Sequence, residues 1–189
     1  MTQKQQLVQY YKWLRQYALN DSHSGNASVR DGDSIWITPT GACADTLTAD
    51  DLIACDINKP ATDGASFDAP LHLASYNNNP QLQAILHSHG AHTVAMTMNG
   101  EDFTPFDFEG QLYFGTVPVI SLDYDDIFAE SAVQVAAALK THKAAVVCGH
   151  GVYVAAENLN LAYKWTCSLE LSAKTAFIAK QAGTFPKRY

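Results

Sequence analysis

Two short apolar runs that each end at a histidine constrain the fold of this chain more than any other feature. They are residues 84–89 (AILHSH) and residues 144–151 (AAVVCGHG). A short apolar run bounded by turn residues is typical of a buried β-strand. Successive side chains of a strand point to opposite faces, so His87 and His89 share a face, with Cα atoms roughly 6.6 Å apart. His150 follows the second run in the same way, so we expect the three imidazoles to meet at strand ends.

Three imidazoles at one place favour a metal site. Histidine is the commonest metal ligand, and a catalytic zinc site uses three protein ligands while one position stays open for water or substrate. We therefore predict one Zn²⁺, or another divalent ion, on His87, His89 and His150. The alternative for the HxH pair alone is two ordinary polar residues at a strand end. With His92 the segment is similar to the HxHxDH motif of zinc hydrolases, but position 91 is Ala and not Asp. We therefore do not assign His92 to a second metal and place it on the first turn of the following helix.

Strand-like and helical patterns are interleaved along the chain, which predicts an α/β or α+β fold. Its 189 residues, 47% of them apolar, are enough for one domain over residues 1–189. Hairpin-like joins favour a sheet that is not purely parallel. The patterns predict helices at 3–19, 70–76, 91–98, 128–140 and 159–182, strands at 28–30, 34–38, 83–88, 117–122 and 144–148, a short helix at 48–52, and an irregular acidic segment at 101–110.

Composition excludes several classes of partner. A net charge of −7 without a basic patch argues against nucleic acid, because phosphate backbones select for clustered Lys and Arg. No apolar run is long enough to span a bilayer, and the N-terminus lacks the apolar core of a signal peptide, so we expect a cytoplasmic protein with no membrane partner. The four cysteines form no CxxC pair, which predicts free thiols. A charged fraction of only 16% hints at a surface covered by other subunits.

Asp68 is a candidate catalytic carboxylate. It precedes a predicted helix that has Pro70 in its first turn and His72 in its second. One interpretation is an ordinary helix N-cap, because Asp and an early Pro are both typical of helix starts. The other is a carboxylate delivered from the helix N-terminus to the metal, where it acts as a base. His72 is then a candidate supporting group, with core or surface packing as its alternative role.

Six segments taken together resemble the class II aldolase/adducin family over nearly the whole chain. In order they are SGNASVR (24–30), ITPTGA (37–42), SFDAPLH (66–72), AILHSHGAH (84–92), YFGTVPV (113–119) and CGHGVYV (148–154). The resemblance implies a three-layer αβα sandwich around a mostly antiparallel sheet. It also implies a homotetramer with its active sites at subunit interfaces.

The resemblance also implies a set of site residues. The metal ligands would be His87, His89 and His150. A substrate phosphate would be bound by Gly25, Asn26, Thr40, Gly41 and Ser66. Backbone N–H groups in glycine-rich turns can form such an anion site without basic side chains, although TPTG is also compatible with a simple turn. Phe67 replaces the small residue usual in the family, which predicts weaker phosphate binding or a substrate of different shape.

The acid/base positions separate the activities of the family. Aldolases and dehydratases usually carry Glu where this chain has Asp68, whereas the ribulose-phosphate epimerase carries Asp. That epimerase has a second catalytic Asp three residues before its YGT segment, and Gln111 occupies this position here. The aldolase interpretation is therefore favoured. For the second acid/base we predict Glu109 or Tyr113, with Asp107 as a further alternative.

The predicted activity is that of a zinc-dependent aldehyde-lyase that cleaves or forms a small ketose or ketose phosphate through a metal-stabilised enediolate. A sugar-phosphate 4-epimerase or a dehydratase would use the same intermediate. Tyr189 corresponds loosely to a C-terminal Tyr that aldolases use, and the segment at 101–110 is also compatible with an acidic surface loop. The head domain of adducin is a non-catalytic member, so a binding module is the alternative of another class. Three histidines and a carboxylate favour the enzyme.

Overall fold

The computed structural model describes residues 1–186, without the side chains of Phe128 and Ala129. Within this range the chain forms a mixed α/β fold. The helices are α1 (Gln3–Gln16), α2 (Ala69–Asn78), α3 (Ala91–Met96), α4 (Phe108–Phe114), α5 (Ile127–Ala138) and α6 (Leu159–Ala182), with a 3₁₀ turn at Ala49–Asp51. The strands are β1 (Asn26–Asp31), β2 (Ser34–Ile37), β3 (Ile53–Asp56), β4 (Ala84–Ser88), β5 (Val119–Ile120), β6 (Ala144–Val147) and β7 (Gly151–Ala156).

The strands form one sheet in the order β3-β2-β1-β4-β7-β6-β5. Every neighbouring pair is antiparallel except β5 and β6, which are parallel. This confirms the mostly antiparallel sheet that the resemblance implied. The central strands β4 and β7 are buried along their whole length, as expected for a sheet that is covered on both faces.

Alternation along the strands sends side chains into two separate cores, which makes three layers. In β4, Ala84 and Leu86 face one core, while Ile85 faces the other. The first core packs against α1 and α6, and the second against α2 and α5. The predicted αβα sandwich is therefore confirmed. None of the helices within the described part of the chain has the length and hydropathy needed to cross a membrane.

Four elements differ from the sequence-based predictions. Strands β3 and β7 were not predicted, because neither shows the alternation that identifies a half-buried strand; β7 is buried at every position. The prediction of an irregular segment at 101–110 was wrong at its end, where Asp107 accepts a hydrogen bond from the backbone N–H of Gly110 and caps α4. Strand β5 spans two residues instead of the predicted 117–122. The long helix at 159–182 and the four free cysteines are confirmed.

Candidate active site

The pairing of β4 with β7 brings the three predicted histidines together. These strands are antiparallel, with Ser88 opposite Val152, so the turn that precedes β7 lies beside the end of β4. The ring centroid of His87 lies 4.7 Å from that of His89 and 4.9 Å from that of His150, and the last two are 5.0 Å apart. One nitrogen from each ring lies within 4.8 Å of the others.

Gly151 makes this close approach possible. A Cβ atom built at this position would lie 2.6 Å from both His89 Cδ2 and the carbonyl oxygen of Ser88, and 2.8 Å from His87 Cε1. Any side chain would therefore push the imidazoles or the end of β4 aside. The glycine in this turn has a direct role in shaping the histidine cluster.

The protonation states of the histidines suit a cation. His87 Nδ1 lies 3.0 Å from the carbonyl oxygen of Val152; a carbonyl only accepts, so Nδ1 carries the proton and Nε2 keeps a lone pair. Burial lowers the pKa of His87 to about 3, and it also lowers the pKa values of His89 and His150. The rings are therefore neutral near pH 7, which is the form that binds metals.

An unsatisfied atom supports the same conclusion. His150 Nδ1 is buried and has no hydrogen-bond partner among the described residues, and buried polar atoms without partners are rare in native proteins. A cation bound through Nδ1 would relieve this deficit. Three imidazoles are typical of zinc and other first-row divalent ions, so the donor set fits the predicted metal.

Asp68 lies beside this cluster. It occupies the N-cap position of α2, but its side chain makes no capping hydrogen bond within the described chain. Its Oδ2 atom instead accepts hydrogen bonds from Asn26 Nδ2 at 2.7 Å and from the hydroxyl of Tyr153 at 2.9 Å. The same oxygen lies 3.8 Å from His87 Nε2. Burial raises the pKa of Asp68, but His87 and the two hydrogen bonds outweigh burial, so the net pKa lies below its ordinary value.

Tyr153 was missed by the sequence analysis, although it connects the carboxylate to the histidines. It is the cross-strand neighbour of His87, and the two rings stack with centroids 3.9 Å apart and planes 3° apart. Burial and Asp68 raise the pKa of the phenol well above its usual value, so it remains a donor. A tyrosine in an otherwise apolar run was the available signal, but it becomes informative only once β7 is recognised as a strand.

Asn20 was also missed. Its Oδ1 atom accepts from the backbone N–H of His89 at 2.9 Å, and its Nδ2 atom donates to the carbonyl oxygen of His87 at 3.4 Å. One side chain therefore holds both ends of the HSH segment. Asn20 lies in a polar loop, and the sequence gives no indication that this loop folds back over β4.

A cavity of about 230 Å³ opens onto the cluster and includes all five residues predicted to bind a phosphate. Among the described residues its lining contains no Lys or Arg; it is formed by His23, Ser24, Gly25, Asn26, Pro39, Thr40, Gly41, Ala42, Ser66, Phe67, Asp68, His87, His89 and His150. The backbone N–H groups of Gly25 and Gly41 have no acceptor within the described chain. Both glycines line the cavity.

The candidates for the second acid/base lie elsewhere in the single chain. Glu109 and Tyr113 are on α4, and neither belongs to the described lining of the cavity. The ring of Tyr113 packs 4.9 Å from that of Trp165. Asp107 Oδ2 accepts hydrogen bonds from the N–H of Gly110 and the hydroxyl of Ser172. Tyr189 lies outside the described residues.

His92 lies on the first turn of α3, as predicted, and it is not part of the described metal-ligand cluster. Its Nδ1 atom lies 2.7 Å from Glu170 Oε1. The same carboxylate accepts hydrogen bonds from the backbone N–H groups of His92 and Thr93. Glu170 of α6 therefore caps α3, a helix whose own N-cap residue is Gly90.

Comparison with known proteins supports the resemblance. The chain is 30% identical over 188 aligned positions to the 3-oxo-tetronate 4-phosphate decarboxylase of Haemophilus influenzae, covering 94% of this chain and 88% of that protein. It is 26% identical over 167 positions to the L-fuculose phosphate aldolase of Escherichia coli, covering 85% of this chain and 76% of that protein. The crystal structure of the L-fuculose-1-phosphate aldolase of Thermus thermophilus superposes with a TM-score of 0.88 at 28% identity, covering 97% of each chain. Residues 5–177 match the model of the class II aldolase and adducin N-terminal domain, and the chain therefore belongs to this family.

Proposed function

We propose that this protein is a metal-dependent aldehyde-lyase that cleaves or forms a small ketose phosphate. The observation that carries the proposal is the arrangement around one cavity: three neutral imidazoles, the ionised carboxylate of Asp68, and two free backbone N–H groups at the other side. The first two features suit cleavage of the bond between the carbons α and β to a carbonyl. The third is suited to the phosphate of the substrate.

The phosphate would be bound by the turns and not by basic side chains. Gly25 and Gly41 offer free backbone N–H groups, and Thr40 and Ser66 add hydroxyls to the same lining. Oriented backbone N–H groups and small hydroxyls bind anions through partial charges. The two relatives whose names specify a phosphorylated sugar substrate support this choice.

His87, His89 and His150 would hold the divalent ion, which when bound supplies Lewis-acid stabilisation of negative charge on the substrate's oxygens. Asp68 would move the proton at the carbon that carries this charge. Both hydrogen bonds to Asp68 fall on Oδ2, so Oδ1 is the atom that would exchange the proton. Tyr153 and Asn26 would keep the carboxylate ionised and oriented between turnovers.

Aldol cleavage needs a second acid/base at the hydroxyl of the departing aldehyde, and the structure of one chain leaves Glu109 and Tyr113 outside the cavity. We propose that α4 of a second copy supplies this group in a homo-oligomer, tetrameric as the resemblance implies. Large apolar side chains exposed on α4 and α6 support an interface there, namely Phe108, Leu112, Leu171 and Ile178. Exposed apolar clusters of this kind are typical of association surfaces.

A second candidate is decarboxylation of a 3-oxo sugar-acid phosphate, the reaction named for the relative at 30% identity. It also breaks a bond at the carbon α to a carbonyl and leaves negative charge on the carbonyl oxygen. Because the leaving group is CO₂, no group is needed to take a proton from an aldehyde-side hydroxyl. A single-chain cavity with one carboxylate base meets that requirement.

The test is a screen of the zinc-loaded protein against C4 to C6 ketose 1- and 5-phosphates and against 3-oxo sugar-acid 4-phosphates. We expect aldehyde release from a ketose phosphate, abolished by a chelator and restored by zinc. Release of CO₂ without aldehyde would establish the second candidate, and isomer formation without aldehyde would indicate an epimerase. A purified protein with no stoichiometric metal and no turnover would contradict the proposal and favour a binding module.

A further inference from the structure

A continuous chain of hydrogen bonds runs from Asp68 into the core behind the site. Asn26 Nδ2 lies 2.7 Å from Asp68 Oδ2, and Asn26 Oδ1 lies 2.7 Å from His72 Nε2. His72 Nδ1 lies 2.6 Å from Ser28 Oγ, which lies 2.9 Å from the hydroxyl oxygen of Tyr76. This hydrogen-bond network links α2 and β1 through the side chains of five residues.

The carboxylate fixes the direction of every bond in this chain. An ionised carboxylate only accepts, so the amide of Asn26 must turn its NH₂ toward Asp68 and its oxygen toward His72. His72 must then carry its proton on Nε2, which leaves Nδ1 to accept from the hydroxyl of Ser28. Ser28 in turn accepts from Tyr76. One arrangement of protons satisfies all five groups.

Packing alone does not explain these residues. His72, Ser28 and Tyr76 have no exposed surface, and Asn26 is 6% exposed. A buried polar network is costly unless every member is satisfied, and apolar side chains of similar volume often stabilise a core as well or better. Burial lowers the pKa of His72 to about 4, so the ring is neutral and acts as one donor and one acceptor.

We propose that His72 is a positioning residue for Asp68: its Nε2–H holds the amide of Asn26 in the one orientation that presents an N–H to Asp68 Oδ2. Without that donor only the carboxylate orients the amide, so Asn26 and the Asp68 carboxylate that it holds become less ordered. Proton transfer at Asp68 then slows while the metal ligands and the phosphate site stay intact. This inference rests on the proposed role of Asp68 as the base.

The kinetic test is His72→Leu, which keeps the approximate volume but removes the donor. We expect kcat to fall by about 10–100-fold, the usual loss when a hydrogen-bond partner of a site residue is removed, with unchanged KM and zinc content. His72→Gln, which can still donate to Asn26, should recover part of kcat. A kcat equal to that of the parent in His72→Leu would overturn the proposal.

Ser28→Ala and Ser75→Ala form a matched pair in case His72→Leu does not fold. Both serines have a relative exposure of 0%, but Ser75, within the described part of the chain, donates to the carbonyl oxygen of Leu71 in its own helix and does not reach His72. Loss of the Ser28 hydroxyl frees His72 to change tautomer, so we expect Ser28→Ala to lower kcat by about 10-fold and Ser75→Ala to leave it unchanged. Equal kcat values in the pair would overturn the proposal.

A spectroscopic measurement separates this inference from the proposed function. The ¹⁵N shifts of the His72 imidazole in the intact protein should show a protonated Nε2 and an unprotonated Nδ1, whatever reaction the protein catalyses. The opposite tautomer would overturn the hydrogen-bond chain itself. The expected tautomer together with full turnover in Asp68→Asn would instead refute the role of Asp68, and with it the positioning role of His72.

Discussion

The two sides of the cavity are constructed differently. What we call the histidine wall consists of His87, His89, His150 and Asp68, with the buried Tyr153 packed behind them. What we call the turn wall consists of residues 23–25, 39–42 and 66–67. The histidine wall lies at the end of β4, in the turn before β7 and at the start of α2, and His87 is only 2% exposed, whereas Phe67 on the turn wall is 80% exposed. Under the proposed function, the chemistry would depend on residues held at buried strand ends and the recognition on loops, a division that allows substrates to change while the reaction is retained.

The largest effect should come from removing a ligand in the histidine wall. We expect His87→Ala to weaken zinc binding by at least about 100-fold, because losing even a hydrogen-bond partner of a ligand costs about 10–100-fold, and to reduce turnover to background. Isothermal titration with zinc and metal analysis of the purified protein check this. His142→Ala, which removes an exposed imidazole, is the control. Parental zinc stoichiometry in His87→Ala would show that the cluster is not the metal site.

Asp68→Asn should slow the catalysed reaction without changing zinc binding. The amide oxygen can still accept from Asn26 and Tyr153, but it cannot take a proton, so we expect kcat to fall by about 10²–10⁴-fold, the usual contribution of a general base. Zinc content and KM should stay close to those of the parent. Asp63→Asn, an exposed carboxylate in a loop, is the matched control. If kcat were equal in the two variants, another group would have to be the base.

The two walls also differ in how far the sequence predicts them. The histidines of the metal cluster could be found because strand periodicity places His87 and His89 on one face, and a second apolar run ends at His150. The residues of the turn wall were identified only through the family resemblance, since TPTG by itself indicates a turn. Loop residues have no periodicity that reports where they lie in space.

The supporting residues were harder to predict than the ligands. Tyr153 belongs to a strand that lacks alternation, and Asn20 acts through a loop that folds over β4. The side chain of Asn26 joins Asp68 to His72 across positions 42 and 46 residues away. Such contacts depend on sheet order, which the local pattern does not contain. In the proposed function, the position of the second acid/base would depend in addition on association between copies.

Two glycine substitutions compare the walls directly. A Cβ at Gly151 would meet His89 and the backbone of Ser88 at 2.6 Å, whereas a Cβ at Gly41 would meet no described residue within 4 Å. We expect Gly151→Ala to lower the free energy of unfolding by about 1–3 kcal/mol through overpacking and to weaken zinc binding by about 10–100-fold. Gly41 has a φ of +65°, so Gly41→Ala should cost about 1–2 kcal/mol with normal zinc affinity. Titration calorimetry and urea unfolding check both; equal zinc affinities would refute the distinction.

The buried histidines should make stability depend on pH. In the unfolded chain the pKa of each imidazole is about 6.5. Burial lowers the pKa of His72 to about 4 and that of His87 to about 3 in the folded chain. Above pH 6.5 both rings are neutral in both states. As the pH falls from 6.5 toward 4, the unfolded chain binds protons that the folded chain excludes, so stability is lost.

Each such group contributes at most about 1.4 kcal/mol per pH unit. We therefore expect His72→Leu to reduce the slope of unfolding free energy against pH by up to that amount between pH 6 and pH 4.5. Urea titrations of metal-free protein at several pH values measure the slope. The parental slope in His72→Leu would mean that the ring is protonated in the fold.

The smallest effect should come from the turn wall. Thr40→Val removes one exposed hydroxyl from the cavity lining without changing its shape. A single hydrogen bond contributes about 0.5–1.5 kcal/mol, so we expect KM for the ketose phosphate to rise by about 2–12-fold while kcat and zinc content stay unchanged. KM for the corresponding unphosphorylated ketose should not move, because the hydroxyl would contact only the phosphate. A fall in kcat, or an equal rise in KM for both sugars, would show that the turn wall participates in the chemistry and that recognition and reaction are not divided between the two walls.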